Sequence, residues 1–144
     1  DNLTVDGSFV LSAGSLDGNA ERLNLMGDVT LSGGNLQTGT GAVLFGNLAG
    51  NVVSMSDGNL IIDSDAPDTD ISIVAGTWTN SGGSIQFANA SSATVFSALS
   101  PYHGLEINST SGTYTATTDI DVNGPFTLTS GTVDMGANGK SLMI

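Results

Sequence analysis

The chain lacks cysteine altogether and has only two basic residues, Arg22 and Lys140, against fourteen acidic ones in 144. The first absence removes disulfides and any thiolate metal site. The second leaves a formal net charge of −12. That charge repels phosphate backbones and anionic lipid, so nucleic acid and membrane surfaces are poor partners, whereas solubility and divalent cations are favoured. Two cations also mean only two cleavage sites for a Lys/Arg-directed protease, which suits life outside a cell. Long apolar runs are missing too: no stretch approaches the roughly 18 residues of a membrane helix. Asp1 opens the sequence without an initiator Met, a basic n-region or an apolar h-region, so no signal peptide is read there. The expectation is a processed piece or excerpt of something longer.

What remains is small and polar. Only 11% of residues are charged, and Gly, Ser, Thr and Asn carry the polar surface, yet 39% are apolar and regularly spaced, which excludes disorder. Such turn-rich composition suits many short strands.

A unit recurs along the chain: polar residues, a small residue or Gly, then an apolar residue opening a new strand. It reads LSAGSL at 11–16, LSGGNL at 31–36, MSDGNL at 55–60, IVAGTW at 73–78, NSTSGTY at 108–114 and LTSGTV at 128–133. The corner glycines are Gly14, Gly34, Gly58, Gly76, Gly112 and Gly131, at gaps of 20, 24, 18, 36 and 19, with Thr94 standing near the skipped corner. Six units average 19.5 residues. Between corners apolar residues alternate: Leu3 and Val5, Phe9 and Leu11, Leu23 and Leu25, Val29 and Leu31, Ile120 and Val122, Phe126 and Leu128. Period two with Gly, Asn and Asp between runs argues half-buried strands, and no helical period is present. The fold class is all-β.

A β-sandwich also places short strands at regular intervals, but its strands need not resemble one another. A parallel β-solenoid demands resemblance, because each coil stacks on the last about 4.8 Å away. The repeat therefore predicts one solenoid domain over 1–144, of six to seven coils of about 18–24 residues, with the antiparallel sandwich as the alternative. Val5–Asp17 and Val122–Asp134 share Val, Gly, Phe, Leu, Gly and Asp at an offset of 117. They read as two coils of one type, six turns apart. The inward core is expected to hold Phe9, Leu11, Leu31, Phe126 and Leu128. No polar cap closes the pattern at either end, so flanking repeats or identical subunits are expected to meet the end strands.

The stretch DIDVNGPFTLTSGTVDMGANGKSLMI at 119–144 resembles the repeat of large secreted bacterial surface proteins, adhesin-like and filamentous-haemagglutinin-like. There a strand, VNG, an LTLTSGTLDLNG-like turn and another strand recur. Residues 82–112 are similar to the partner half of that repeat. The resemblance implies a right-handed β-helical stalk, exported to the cell surface, non-enzymatic, acting in attachment or as a fibre. Neither DSDAPDTD at 63–70 nor SALSPYHG at 97–104 maps onto the family.

Asp63, Asp65, Asp68 and Asp70 form the densest charge. Alternating carboxylates suit calcium, yet position six of such a loop is Asp68 rather than the EF-hand Gly, and the nonapeptide of calcium β-rolls is missing. A solvated loop is the plainer reading, and no other cofactor is implied. Carbohydrate-cleaving β-helices need a carboxylate pair facing a cleft, and Trp78, Tyr102 and Tyr114 fall on separate units without forming a sugar-binding row. His103 has no second His and no nucleophile motif. Asn2, Asn89 and Asn108 open Asn-Xaa-Ser/Thr triplets, which this composition also yields by chance. Thr-Xaa-Thr triplets at 38–40, 77–79, 113–115 and 127–129 could form a flat ice-binding face if stacked outward on a solenoid, but they fall at different points of the repeat and read as strand formers. The expected function is mechanical: a stiff extracellular stalk or fibre. A self-assembling filament subunit and a carbohydrate-binding or carbohydrate-cleaving β-helix are the alternatives. Surface glycans or cell receptors are the expected outside partners.

Overall fold

The structure, a computed structural model, describes residues 1–64, 71–73, 76–89, 92–95, 99–136 and 139–144. Every strand pair in it is parallel, and the chain winds as a β-solenoid of about six turns, with no α-helix among the described residues. The sandwich alternative is thereby set aside.

Each turn passes three faces, called A, B and C. Face A begins with β1 (Leu3–Val5), face B with β2 (Phe9–Leu11) and face C with β3 (Ser15–Asp17). The next turn returns to face A as β4 (Leu23–Leu25) and crosses faces B and C as one strand, β5 (Val29–Gln37). The third turn repeats this with β6 (Val43–Phe45) and β7 (Val52–Ile62). The fourth uses β8 (Ile71–Ile73), β9 (Thr77–Asn80) and β10 (Ser84–Phe87). By chain order β11 (Ala93–Val95) then takes the A place, and face C continues in the first half of β12 (Leu105–Ala116). Next come β13 (Ile120–Asp121), β14 (Phe126–Asp134), which crosses faces C and A, and β15 (Leu142–Met143).

Because side chains alternate across each strand, every second residue meets its counterpart one turn away. Val5, Leu25, Phe45 and Ile73 form one inward column on face A. Phe9, Val29, Val53 and Trp78 form another on face B. On face C, Leu16, Leu36, Leu60, Ile85, Leu105 and Phe126 stack in unbroken register. Beside them run Ile62, Phe87, Ile107 and Leu128. The middle members are shut off from solvent, Leu25, Leu36, Leu60, Ile85 and Phe87 at 0% exposure.

The stacking corrects three sequence expectations. Val5–Asp17 and Val122–Asp134 are not coils of one type. Phe126 continues the column of Leu16, not that of Phe9, so the look-alike stretches lie one face apart. Secondly, the six glycines do not share a corner. Gly14, Gly34 and Gly58 stack at the corner from B to C, where Gly83 and Gly104 continue the column. Gly76 instead stands before face B, against Asn51, and Gly112 and Gly131 sit between C and A. Thr94 pairs with Thr115 within face A and marks no corner. All three corners use the same small-residue chemistry, which is why their spacings merged into one apparent period.

Thirdly, Leu128 is not core. Its column is inward, but the next place along it is uncovered, leaving the side chain 49% exposed. Phe9, Leu11 and Phe126 are half-buried against the core for the same reason, whereas Leu31 is buried. The corner glycines have a steric cause that is clearest at Gly34. Its φ of 76° is left-handed, and a Cβ there would stand 2.5 Å from the Gly14 carbonyl oxygen, closer than any side chain permits.

Candidate functional site

Outward side chains on this scaffold are set a strand apart, and many bond to their counterparts on the next turn. On face A, Asn24 Nδ2 donates to Thr4 Oγ1 at 3.1 Å. On face C, Asn59 Nδ2 donates to Asn35 Oδ1 at 2.9 Å. Further along that face the Thr129 hydroxyl donates to Glu106 Oε1 at 3.0 Å. At the next corner Ser130 Oγ donates to Asn108 Oδ1 at 3.2 Å. These rungs commit side-chain polarity to the stack itself.

An open groove of about 370 Å3 lies at the corner from C to A, lined by Asp17, Asn19, Gln37, Thr40 and Asp63 among others. Its two carboxylates are already engaged. Asp17 Oδ1 accepts the Asn19 N–H at 2.8 Å, and Asp63 Oδ2 accepts from Gln37 Nε2. Of the four aspartates expected to crowd a calcium, Asp63 is therefore placed in a rung. Asp65, Asp68 and Asp70 lie outside the described residues. Among the described residues no three His, Asp or Glu side chains converge as a metal site would require.

Asp28 shows how a carboxylate is used here. Its Oδ1 accepts the Val52 N–H at 2.9 Å and Asn51 Nδ2 at 3.3 Å. The Val52 hydrogen bond, seconded by Asn51, holds this carboxyl below the usual aspartate range. Asn51 in turn accepts the Leu48 N–H at 2.7 Å, so Asp28 anchors the insertion that lengthens this turn from 20 to 24 residues on face B (Phe9 to Val29, then Val29 to Val53).

Inside, a polar thread runs where face C turns toward A. Ser64, Asn89 and Ser109 are buried two residues past Ile62, Phe87 and Ile107, and Thr38 is buried two past Leu36. Asn89 Nδ2 donates to the Ser64 carbonyl, the Asp63 N–H donates to Thr38 Oγ1 at 3.2 Å, and the Gly112 N–H donates to Ser109 Oγ at 2.7 Å. The Tyr114 hydroxyl reaches the Asn89 carbonyl at 3.1 Å. Burial pushes the Tyr114 phenol above its ordinary value, opposed by its hydrogen bonds to Ser109 and Asn89 and aided by the Asp63 charge. Among the described residues every buried side-chain nitrogen and oxygen has a partner. Sequence reasoning missed this thread. Its signal was available as a small polar residue closing each apolar alternation on face C.

The aromatic residues form no exposed row among the described residues. Trp78 is half-buried in its inward column and donates Nε1–H to the Leu99 carbonyl at 3.0 Å, while Tyr102 and Tyr114 are buried. His103 donates its backbone N–H at 3.1 Å to the Asn80 side-chain oxygen, in the amide orientation that also lets Asn80 donate to the Gly82 carbonyl at 2.8 Å. Of the three sequon asparagines, Asn89 and Asn108 are taken up in the contacts above, and Asn2 Oδ1 accepts the Arg22 N–H at 3.3 Å. Comparison of the chain with protein-family models, with curated proteins and with solved structures gives no match.

Proposed function

We propose that this chain is a non-enzymatic, load-bearing segment of an exported surface stalk or fibre. The observation that carries the reading is that polar side chains are bonded from turn to turn instead of converging on a cleft. Rungs such as Asn35–Asn59 and Glu106–Thr129 reinforce the same direction as the parallel strand ladder. A pull along the axis is then shared by backbone and side-chain hydrogen bonds together. At about 4.8 Å per turn, six turns make a rod near 30 Å long, and any added turn lengthens it without changing its section. Low positive charge and the scarcity of tryptic sites suit an exposed location.

The test is to locate and image the protein in its source cells. Antibody labelling of intact cells, followed by electron microscopy of the labelled structures, is expected to mark thin surface rods or fibres. Label confined to the cell interior, or to compact particles, rejects the reading.

End-to-end assembly is a second reading with its own observation. Leu3 and Val10 at one end are 40% and 62% exposed, and Leu128, Met143 and Ile144 at the other are 49%, 50% and 76% exposed. Open strand edges with apolar side chains are templates for further strands. Sedimentation of the 144-residue chain is expected to show mass rising with concentration. A monomer throughout would dismiss this reading and leave the stalk untouched.

A further inference from the structure

Face B bears an outward pattern unlike the amide and carboxylate rungs of face C. One row runs in register through Val10, Thr30, Ser54 and Thr79. On one side of it Val52 pairs with Thr77. On the other, the Ser81 N–H donates to the Met55 carbonyl, which sets Ser81 beside Ser56. Thr77, Thr79, Ser56 and Ser81 are exposed, and Thr30 and Ser54 are half-exposed. Ser54 Oγ donates to the Val29 carbonyl at 3.3 Å. The other hydroxyls named here make no side-chain hydrogen bond among the described residues.

These groups stand on a rigid base, since Val29, Leu31, Val53 and Met55 beneath them are at most 2% exposed. Neighbouring turns repeat at about 4.8 Å and alternate residues along a strand at about 6.6 Å. The result is a grid of hydroxyls and methyls in two directions. Its two carboxylates are at the rims: Asp28 is turned onto the Val52 N–H, and Asp57, next to Ser56, accepts the Gly58 N–H. Without cations the grid does not suit polyanions. Without exposed rings it offers no stacking platform for bases or sugars.

A fixed array of hydroxyls and methyls does suit a solid whose own oxygens form a hydrogen-bonded lattice of similar repeat. We infer that face B adsorbs to ice. Each hydroxyl takes the place of a lattice water, and the methyls of Thr30, Thr77, Thr79, Val10 and Val52 rest between them. Individual contacts are weak, but a preorganised array binds without the cost of ordering its side chains. The triplet pattern in the sequence concealed this row, because its triplets fall on different faces while the row mixes Thr with Ser.

The experiment is ice-crystal growth in solutions of the purified protein. The wild-type chain is expected to facet single crystals and to open a gap between melting and freezing temperatures that widens with concentration. Thr30→Tyr and Thr79→Tyr, which break the plane, are expected to return crystals to smooth discs and the gap to the buffer value. Thr115→Tyr, outward on face A, is expected to keep both effects; matched melting curves show that all three variants fold. Smooth discs with the wild-type protein overturn the inference, as does faceting that survives both face-B changes. Retention on microcrystalline cellulose without any effect on ice also overturns it, in favour of a polysaccharide face. None of these outcomes bears on the cell-surface labelling that tests the stalk.

Discussion

The Tyr114 hydroxyl lies 3.1 Å from the Asn89 carbonyl oxygen and 3.3 Å from the Asn89 side-chain oxygen, while its ring meets Phe87 edge-on at 5.5 Å. One side chain thus joins the apolar column to the polar thread. Tyr114→Phe keeps the ring contact and strands buried acceptors, so urea unfolding should show a loss of about 1–3 kcal/mol. Tyr114→Leu should lose about 0.5–1.5 kcal/mol more, the aromatic pair having gone as well. The same residue sets an alkaline limit. Burial raises its folded pKa above the unfolded value, so its contribution is complete below about pH 10 and is lost as pH rises through the folded value. Phenolate absorbance should rise together with unfolding, and Tyr114→Phe should move the alkaline midpoint upward.

Column position decides the cost of losing a leucine. Leu60 has Leu36 on one side, Ile85 on the other and no exposure. Leu60→Ala should therefore cost about 2–5 kcal/mol, transfer and cavity together. Leu128→Ala removes a side chain already 49% exposed and should cost under about 1.5 kcal/mol by its smaller area change. Equal losses in paired denaturant titrations would show that the columns are not the seat of stability.

Glycines at corners divide the same way. Gly34→Ala forces a Cβ onto the Gly14 carbonyl from a left-handed backbone, and a loss of at least about 1–3 kcal/mol is expected. At Gly7 the added methyl meets nothing within 4 Å and φ is not left-handed, so Gly7→Ala should stay within about 0.5 kcal/mol of wild type. Thermal melts of the two proteins make the comparison.

The architecture was legible because stacking forces like side chains onto like positions: Leu31 read as core and is core. The face was not legible. Phe9 and Phe126 each have Gly two residues before and Leu two after, yet every face alternates the same apolar residues and every corner takes the same small ones. Nothing local distinguishes a third of a turn. Nor could Asp63 be paired with Gln37 from the sequence, since the insertion held by Asp28 shifts the third turn from an offset of 20 to 24 and brings together residues 26 apart. Insertions cost little at a solenoid corner, so the chain tolerates them where periodicity would otherwise have announced the contact. Ser64, Asn89 and Ser109 were hidden for another reason: small polar residues at strand ends are read as turns, and only the stacked register turns them inward.

Acid should release the insertion before the core yields. Asp28 is held below its ordinary pKa chiefly by the Val52 N–H. A depressed carboxyl stabilises the fold above its unfolded value near 3.8, and that contribution disappears as pH falls through the folded value. Asp28→Ala removes it at every pH. The wild-type protein should accordingly melt above the variant at neutral pH, and the gap between them should close in strong acid. Hydrogen exchange gives the local readout, because the Val52 amide loses its acceptor in the variant and should exchange faster there while the Val29 and Leu60 amides in the ladder stay protected. A gap that persists undiminished below pH 2 would mean that Asp28 acts by shape rather than by charge.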